Sequence, residues 1–174
     1  LSRGLGDVYK RQILHAVEKN SGCKILLAQK AFSAYALYPL IGRYISGTTA
    51  SGLYEARLGF EEMGKENHVF SPAYKAEEVK ELSRLCDHIV FNSFAQMEKF
   101  HRDAGKASIG IRVNPECSTQ EGHAIYDPCA PYSRMGVVRE QFPKILPDYV
   151  EGLHFHTLCE QDFDALEKTF YAFE

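Results

Sequence analysis

The sequence predicts an α/β fold, a partial (β/α)8 TIM barrel, and three observations carry that prediction. Short apolar runs alternate with amphipathic stretches at intervals of about twenty residues, the rhythm of a parallel sheet with helical crossovers. Lys30, Ser51, Ser71, Asn92, Asn114 and His156 each stand just past the end of an apolar run. In a barrel those strand ends form the face that carries the chemistry. A doubly wound sheet would also place a site there, but no G-x-G-x-x-G or P-loop follows any strand.

The elements follow in order. Residues 1–12, LSRGLGDVYKRQ, show neither helical nor strand period and have no signal-peptide core. They read like a translated sequencing adapter and are set outside the fold, which leaves residues 13–174 as the domain. Residues 13–20 read as a short helix closed by Asn20-Ser21-Gly22. Ile25 to Ala28 is a short strand with Lys30 where it runs out, and a helix is expected over 34–44. Gly47 to Gly52 reads as a strand and turn, and Leu53 to Met63 as a helix stopped by Gly64. Asn67 to Ser71 is a third strand. The helix over 76–86 puts Val79, Leu82, Leu85 and Cys86 on one face, with Glu77 and Glu78 at its favourable N-terminus. His88 to Phe91 is a fourth strand, followed by a helix in which Ser93 and Gln96 have capping-box spacing.

Ser108 to Val113 is a fifth strand. The passage 114–136 holds Pro115, Gly122, Pro128, Pro131 and Gly136, and reads as an excursion. A helical segment is expected near 137–146, then a strand at Val150 to Phe155. A final helix carries Phe163, Leu166, Phe170 and Phe173 at helical spacing. That stripe continues to Glu174 without a cap, so the chain is expected to be a fragment.

The totals bound the function. At 174 residues, with 45% apolar and 25% charged residues, the chain has ordinary globular composition. A net charge of -3 without a basic run argues against nucleic acid. No apolar run approaches the ~18 residues of a membrane span. The cysteines, Cys23, Cys86, Cys117, Cys129 and Cys159, never form a C-x-x-C pair. Scattered thiols of this kind fit a reducing, cytoplasmic setting.

Three constellations can carry chemistry. Lys30 is either a surface lysine ending an edge strand or an amine poised to form a Schiff base. His154 and His156 share one face of a strand. They read as a metal pair with Cys159 or Glu160, as an aromatic-stacking His156 with His154 packed elsewhere, or as satisfied structural histidines. Arg112, in apolar company at a strand end, needs a fixed anionic or acceptor partner. Tyr126 to Gly136 is a rigid polar loop or a plain surface excursion. Cys129 and Cys159 lack a neighbouring base and read as inert thiols.

LLAQKAFS, TTASGLYEARLG, VFSPAYK, IVFNS, IRVNP, YDPCAPYSRMG and GLHFHTLCEQ stand in an order and spacing that resemble the carboxynorspermidine (carboxyspermidine) decarboxylase family. That family belongs to the pyridoxal-phosphate decarboxylases with an alanine-racemase-like barrel, and the resemblance runs from about Gly22 to Glu174. It implies decarboxylation of a carboxylated polyamine to norspermidine or spermidine, with pyridoxal 5'-phosphate as cofactor. It implies that Lys30 holds the cofactor as an internal aldimine, that His156 stacks on its ring, and that Arg112 supports the ring's oxygen side or orients its neighbours. No metal is implied. A C-terminal β-domain, absent here, and a homodimer in the full-length protein are implied as well. Thr48, Cys159 and Arg134-Met135 depart from the wider group, where Asp, Ser and Lys-Phe are usual. A diaminopimelate- or ornithine-type decarboxylase, or a cofactor-carrying barrel without activity, are the alternatives.

Overall fold

The structure is a computed structural model that describes residues 3–120 and 124–174; Gly122, counted above among the loop's breakers, lies outside them. Helix α1 spans Arg3–Ser21 and leads to strand β1, Leu26–Ala28. The succession continues with α2 (Tyr38–Ile41), β2 (Gly47–Ala50), α3 (Leu53–Glu62), β3 (Glu66–Phe70), α4 (Ala76–Leu85) and β4 (His88–Phe91). It closes with α5 (Phe94–Phe100), β5 (Ser108–Arg112), β6 (Gly152–His154) and α6 (Phe163–Phe173). All six strands pair in parallel, in sequence order, in one open sheet. Neighbours in sequence are neighbours in the sheet; the first four crossovers are short βα units, whereas β5 reaches β6 through a long passage that carries only 3-10 turns among the described residues.

The strands alternate between two faces of different chemistry. Asn67 and Val69 of β3, and Ile89 and Phe91 of β4, are buried on the helical side. There they join Val79 and Leu82 of α4, Met97 and Phe100 of α5, and Ile109 and Ile111 of β5 in one core. The opposite face of β3 carries Glu66, His68 and Phe70, none fully buried.

A buried polar link registers helices on sheet. The Asn67 amide donates to the carbonyls of Ala56 (2.8 Å) and Leu85 (3.0 Å), and its oxygen accepts from the Thr48 hydroxyl at 3.0 Å. Each polar atom of this side chain thus has a partner, as full burial demands. Helix α3 comes close to β2 at Gly59, where an added Cβ would lie 2.3 Å from Thr48 Oγ1. At the N-terminus of α5 the capping pair is split. Ser93 Oγ accepts from the Gln96 amide, while the Gln96 side chain accepts from the amide of Asn92.

Several expectations need correction. Helix α1 begins at Arg3, so residues set outside the fold are helical as far as they are described. Glu18 lies on it and accepts from the backbone amides of Ile25 and Ser46, fixing its C-terminal half to the start of the sheet. The expected helix over 34–44 divides into a 3-10 turn at Tyr35–Leu37 and the single turn of α2. Pro39 at the start of α2 has no N–H for a continuing ladder. No helix forms over 137–146, where only a 3-10 turn at Arg139–Gln141 is present. Pro143 and Pro147 restrict the residues before them to extended backbone. Finally, β6 is shorter than Val150 to Phe155, because beyond His154 the neighbouring β5 has no partner left to offer.

Candidate functional site

The C-terminal ends of the strands surround a cleft of about 840 Å³ lined by Lys30, Ser51, Phe70, Arg112, His156 and the loop from Ile125 to Met135. The residues singled out in the sequence, Lys30, Arg112 and His156, therefore meet in one place although they span the length of the sheet.

Lys30 stands in the turn after β1 and is exposed, while its neighbour Gln29 is fully buried. The lysine is thus open to the cleft rather than desolvated within the sheet. Arg112, the last residue of β5, is 4% exposed. Its Nη2 donates to the carbonyl of His156 at 3.1 Å, and its guanidinium lies 4.7 Å from the centroid of the Phe70 ring. Its buried Nε has no hydrogen-bond partner, and among the described residues no carboxylate lies within ion-pair distance. Burial pulls the guanidinium below its ordinary pKa. A buried cation of this kind is suited to an anionic oxygen.

His156 sits two residues past β6. It is exposed at the cleft. Burial first, and then the charges of Lys30 and Arg112, hold its imidazole below the usual histidine range. His154 lies beneath, stacked on Phe70 at 5.4 Å between centroids, with its Nε2 buried and unpartnered. Burial, the Arg112 charge and the neighbouring histidines push its pKa down to about 4. Its ring is 6.5 Å from that of His156. The pair is not gathered with Cys159 or Glu160 into a ligand set. Among the described residues, the group with metal-ligand spacing is Glu66, His68 and His88.

The other strand-end residues are where the sequence puts them but serve structure. Asn92 donates to the carbonyl of Arg134 and accepts from the amide of Gly136, both at 2.8 Å. Asn114 accepts from the amide of Glu116 and reaches the carbonyl of Pro128. These two amides hold the loop that walls the cleft. Gly136 has a φ of +89°, and a Cβ there would come within 2.9 Å of backbone atoms of Val113 and Asn114. Ser71 donates its amide to Tyr74 Oη, and the Ser51 amide donates to Glu55. Burial raises the Cys129 thiol, in keeping with an inert cysteine, and pushes Cys86 up to about 12. Phe70, the platform under Arg112 and His154, escaped notice because it reads as one more strand aromatic. Glu66, His68 and His88 escaped because only the register of β3 against β4 joins them.

Sheet and cleft define the class: an α/β chain with its site at the carboxyl ends of parallel strands. No family model matches the chain. It is 43% identical over 163 residues to carboxynorspermidine/carboxyspermidine decarboxylase of Campylobacter jejuni, covering 94% of this chain and 42% of that protein. The decarboxylase of the same description from Herminiimonas arsenicoxydans is 36% identical over 159 residues, with 89% of this chain and 43% of the relative covered. Carboxyaminopropylagmatine decarboxylase of Synechocystis is 35% identical over 159 residues, covering 90% of this chain and 41% of the relative. The crystal structure of carboxynorspermidine decarboxylase complexed with norspermidine from Campylobacter jejuni superposes with a TM-score of 0.85 at 40% identity, covering 97% of this chain and 43% of that one. The resemblance read from the motifs therefore holds in sequence and in fold. The chain spans about two fifths of the length of these relatives.

Proposed function

We propose that the protein to which this chain belongs is a pyridoxal-phosphate-dependent decarboxylase that converts carboxynorspermidine or carboxyspermidine to the corresponding triamine. The observation that carries this reading is the meeting of Lys30, His156 and Arg112 in one cleft, in a chain similar to such decarboxylases along nearly its whole length. The six parallel strands are then part of an eight-stranded barrel, and the polar face of β3 turns inward. No helix among the described residues is long and apolar enough to cross a membrane, and the composition suits a cytoplasmic enzyme. A homodimer rests on the family resemblance.

The residues present fit the cofactor: a primary amine, a flat imidazole, and a buried guanidinium with an unpartnered Nε around one cleft. When bound, pyridoxal 5'-phosphate supplies an electron sink for the carbanion left by loss of CO₂. Lys30 offers Nζ as the attachment point and as a proton carrier within the cleft. His156 presents an imidazole kept neutral near pH 7 by burial and by the charges of Lys30 and Arg112, so it packs against an aromatic ring without adding charge. Arg112 would offer a fixed positive charge to an anionic oxygen of the cofactor and, through its bond to the His156 carbonyl, sets where that residue sits. The loop held by Asn92 and Asn114 forms one wall of the cleft.

A second reading keeps the chemistry and changes the substrate's tail. The 35% identical relative that acts on carboxyaminopropylagmatine makes a guanidine-ended substrate the alternative to an amine-ended one. The test is borohydride reduction of the cofactor-loaded full-length protein followed by peptide mapping. A pyridoxyl group on the peptide containing Lys30 is expected, and one on any other peptide overturns the assignment. CO₂ release from each candidate substrate then decides between the tails.

A further inference from the structure

The polar face of the sheet holds a second cluster, at the opposite end of the strands from the cleft. Glu66 opens β3, His68 follows on the same face, and His88 opens β4. His68 and His88 are direct partners in the parallel register, which brings their rings to 4.1 Å between centroids. Both imidazoles aim Nε2 at one carboxylate oxygen: Glu66 Oε1 is 2.7 Å from His68 and 3.4 Å from His88. The other oxygen, Oε2, is engaged by Lys24, so the carboxylate is oriented with a single oxygen toward the histidines. The three ligand atoms lie within 4.8 Å of one another.

We propose that Glu66, His68 and His88 form a binding site for a divalent transition metal of the zinc type, clasping β3 to β4. Two imidazole nitrogens and a carboxylate oxygen are a donor set zinc accepts, with water in the fourth position. Metal–ligand bonds of ~2.0–2.2 Å put neighbouring tetrahedral ligands roughly 3.3–3.5 Å apart. The Glu66–His88 distance of 3.4 Å already has that spacing. The Glu66–His68 contact must open by roughly 0.6 Å, from a hydrogen bond to a ligand edge. Binding needs only the tautomer with hydrogen on Nδ1, which frees the Nε2 lone pair with no net loss of a proton. As in other metal sites, the group bonded to the far carboxylate oxygen sets ligand orientation. The site uses none of the cleft residues, so it stands or falls independently of the decarboxylase reading.

The test uses tag-free full-length protein stripped with a chelator and titrated with Co²⁺ and then Zn²⁺. Saturation at one equivalent is expected, with a visible cobalt spectrum of nitrogen and oxygen ligation, displacement by Zn²⁺, and a rise in melting temperature with either ion. Glu66→Gln and His88→Asn should each weaken Co²⁺ binding by at least ~10-fold, whereas Cys23→Ser and Cys159→Ser should not. A thiolate-to-cobalt charge-transfer band in the unaltered protein would assign the metal to cysteines and overturn the proposal, whether or not the variants fold. Failure to saturate, or unchanged affinity in His88→Asn, would leave the cluster as a hydrogen-bonded strand clasp only.

Discussion

Replacing Arg112 by methionine separates a cofactor-binding arginine from a structural one. The side chain is 4% exposed, donates one hydrogen bond to the His156 carbonyl and lies over Phe70. Methionine gives up the charged hydrogen bond, worth about 1.5–3 kcal/mol, and the guanidinium–ring contact, about 0.5–2 kcal/mol. It also removes a buried cation with an unpartnered Nε and no carboxylate among the described residues, whose desolvation costs several kcal/mol. These opposing contributions nearly cancel. The cofactor-free protein should therefore change in stability by no more than about 1 kcal/mol, with gain favoured over loss. Affinity for pyridoxal 5'-phosphate should fall by ~10-fold or more, the equivalent of one charge-assisted hydrogen bond. Urea unfolding of the cofactor-free protein and cofactor titration by absorbance read the two effects separately. A loss of about 3 kcal/mol or more, with cofactor affinity unchanged, is the signature of a broken structural contact and would refute the reasoning.

Two further outcomes test other parts of the structure. Between pH 6.5 and about 4 the unfolded chain protonates His154 while the folded protein holds it neutral. Stability should thus rise with pH through that window and fall on acidification, by about 3 kcal/mol from this residue; His154→Leu should flatten the slope in pH-dependent urea midpoints. Gly59→Ala should destabilise by about 1–3 kcal/mol, overpacking against Thr48 outweighing the helical gain of about 1 kcal/mol. A higher urea midpoint would show instead that Thr48 swings aside and gives up its bond to Asn67.

Much of the fold was legible in the chain because burial imposes a period. The alternation of β3 and β4, the face of α4 with Val79 and Leu82, and the stop at Gly64 follow from local chemistry alone. Order along β1 to β5 then follows from short crossovers, and Lys30, Arg112 and His156 fall at or just past strand ends. Where prolines interrupt an apolar period, as at Pro39 and over 137–146, the period misled, because a missing N–H weighs more than a favourable face.

Only the tertiary structure decided what those residues face. Lys30 is open to the cleft rather than buried, Asn92 and Asn114 hold a loop, and His154 rests on Phe70 instead of beside Cys159. Glu66, His68 and His88 became one cluster through a register that no local pattern encodes. The reason is physical: a strand's period fixes which face a side chain takes, whereas its partners depend on how distant segments slide past one another.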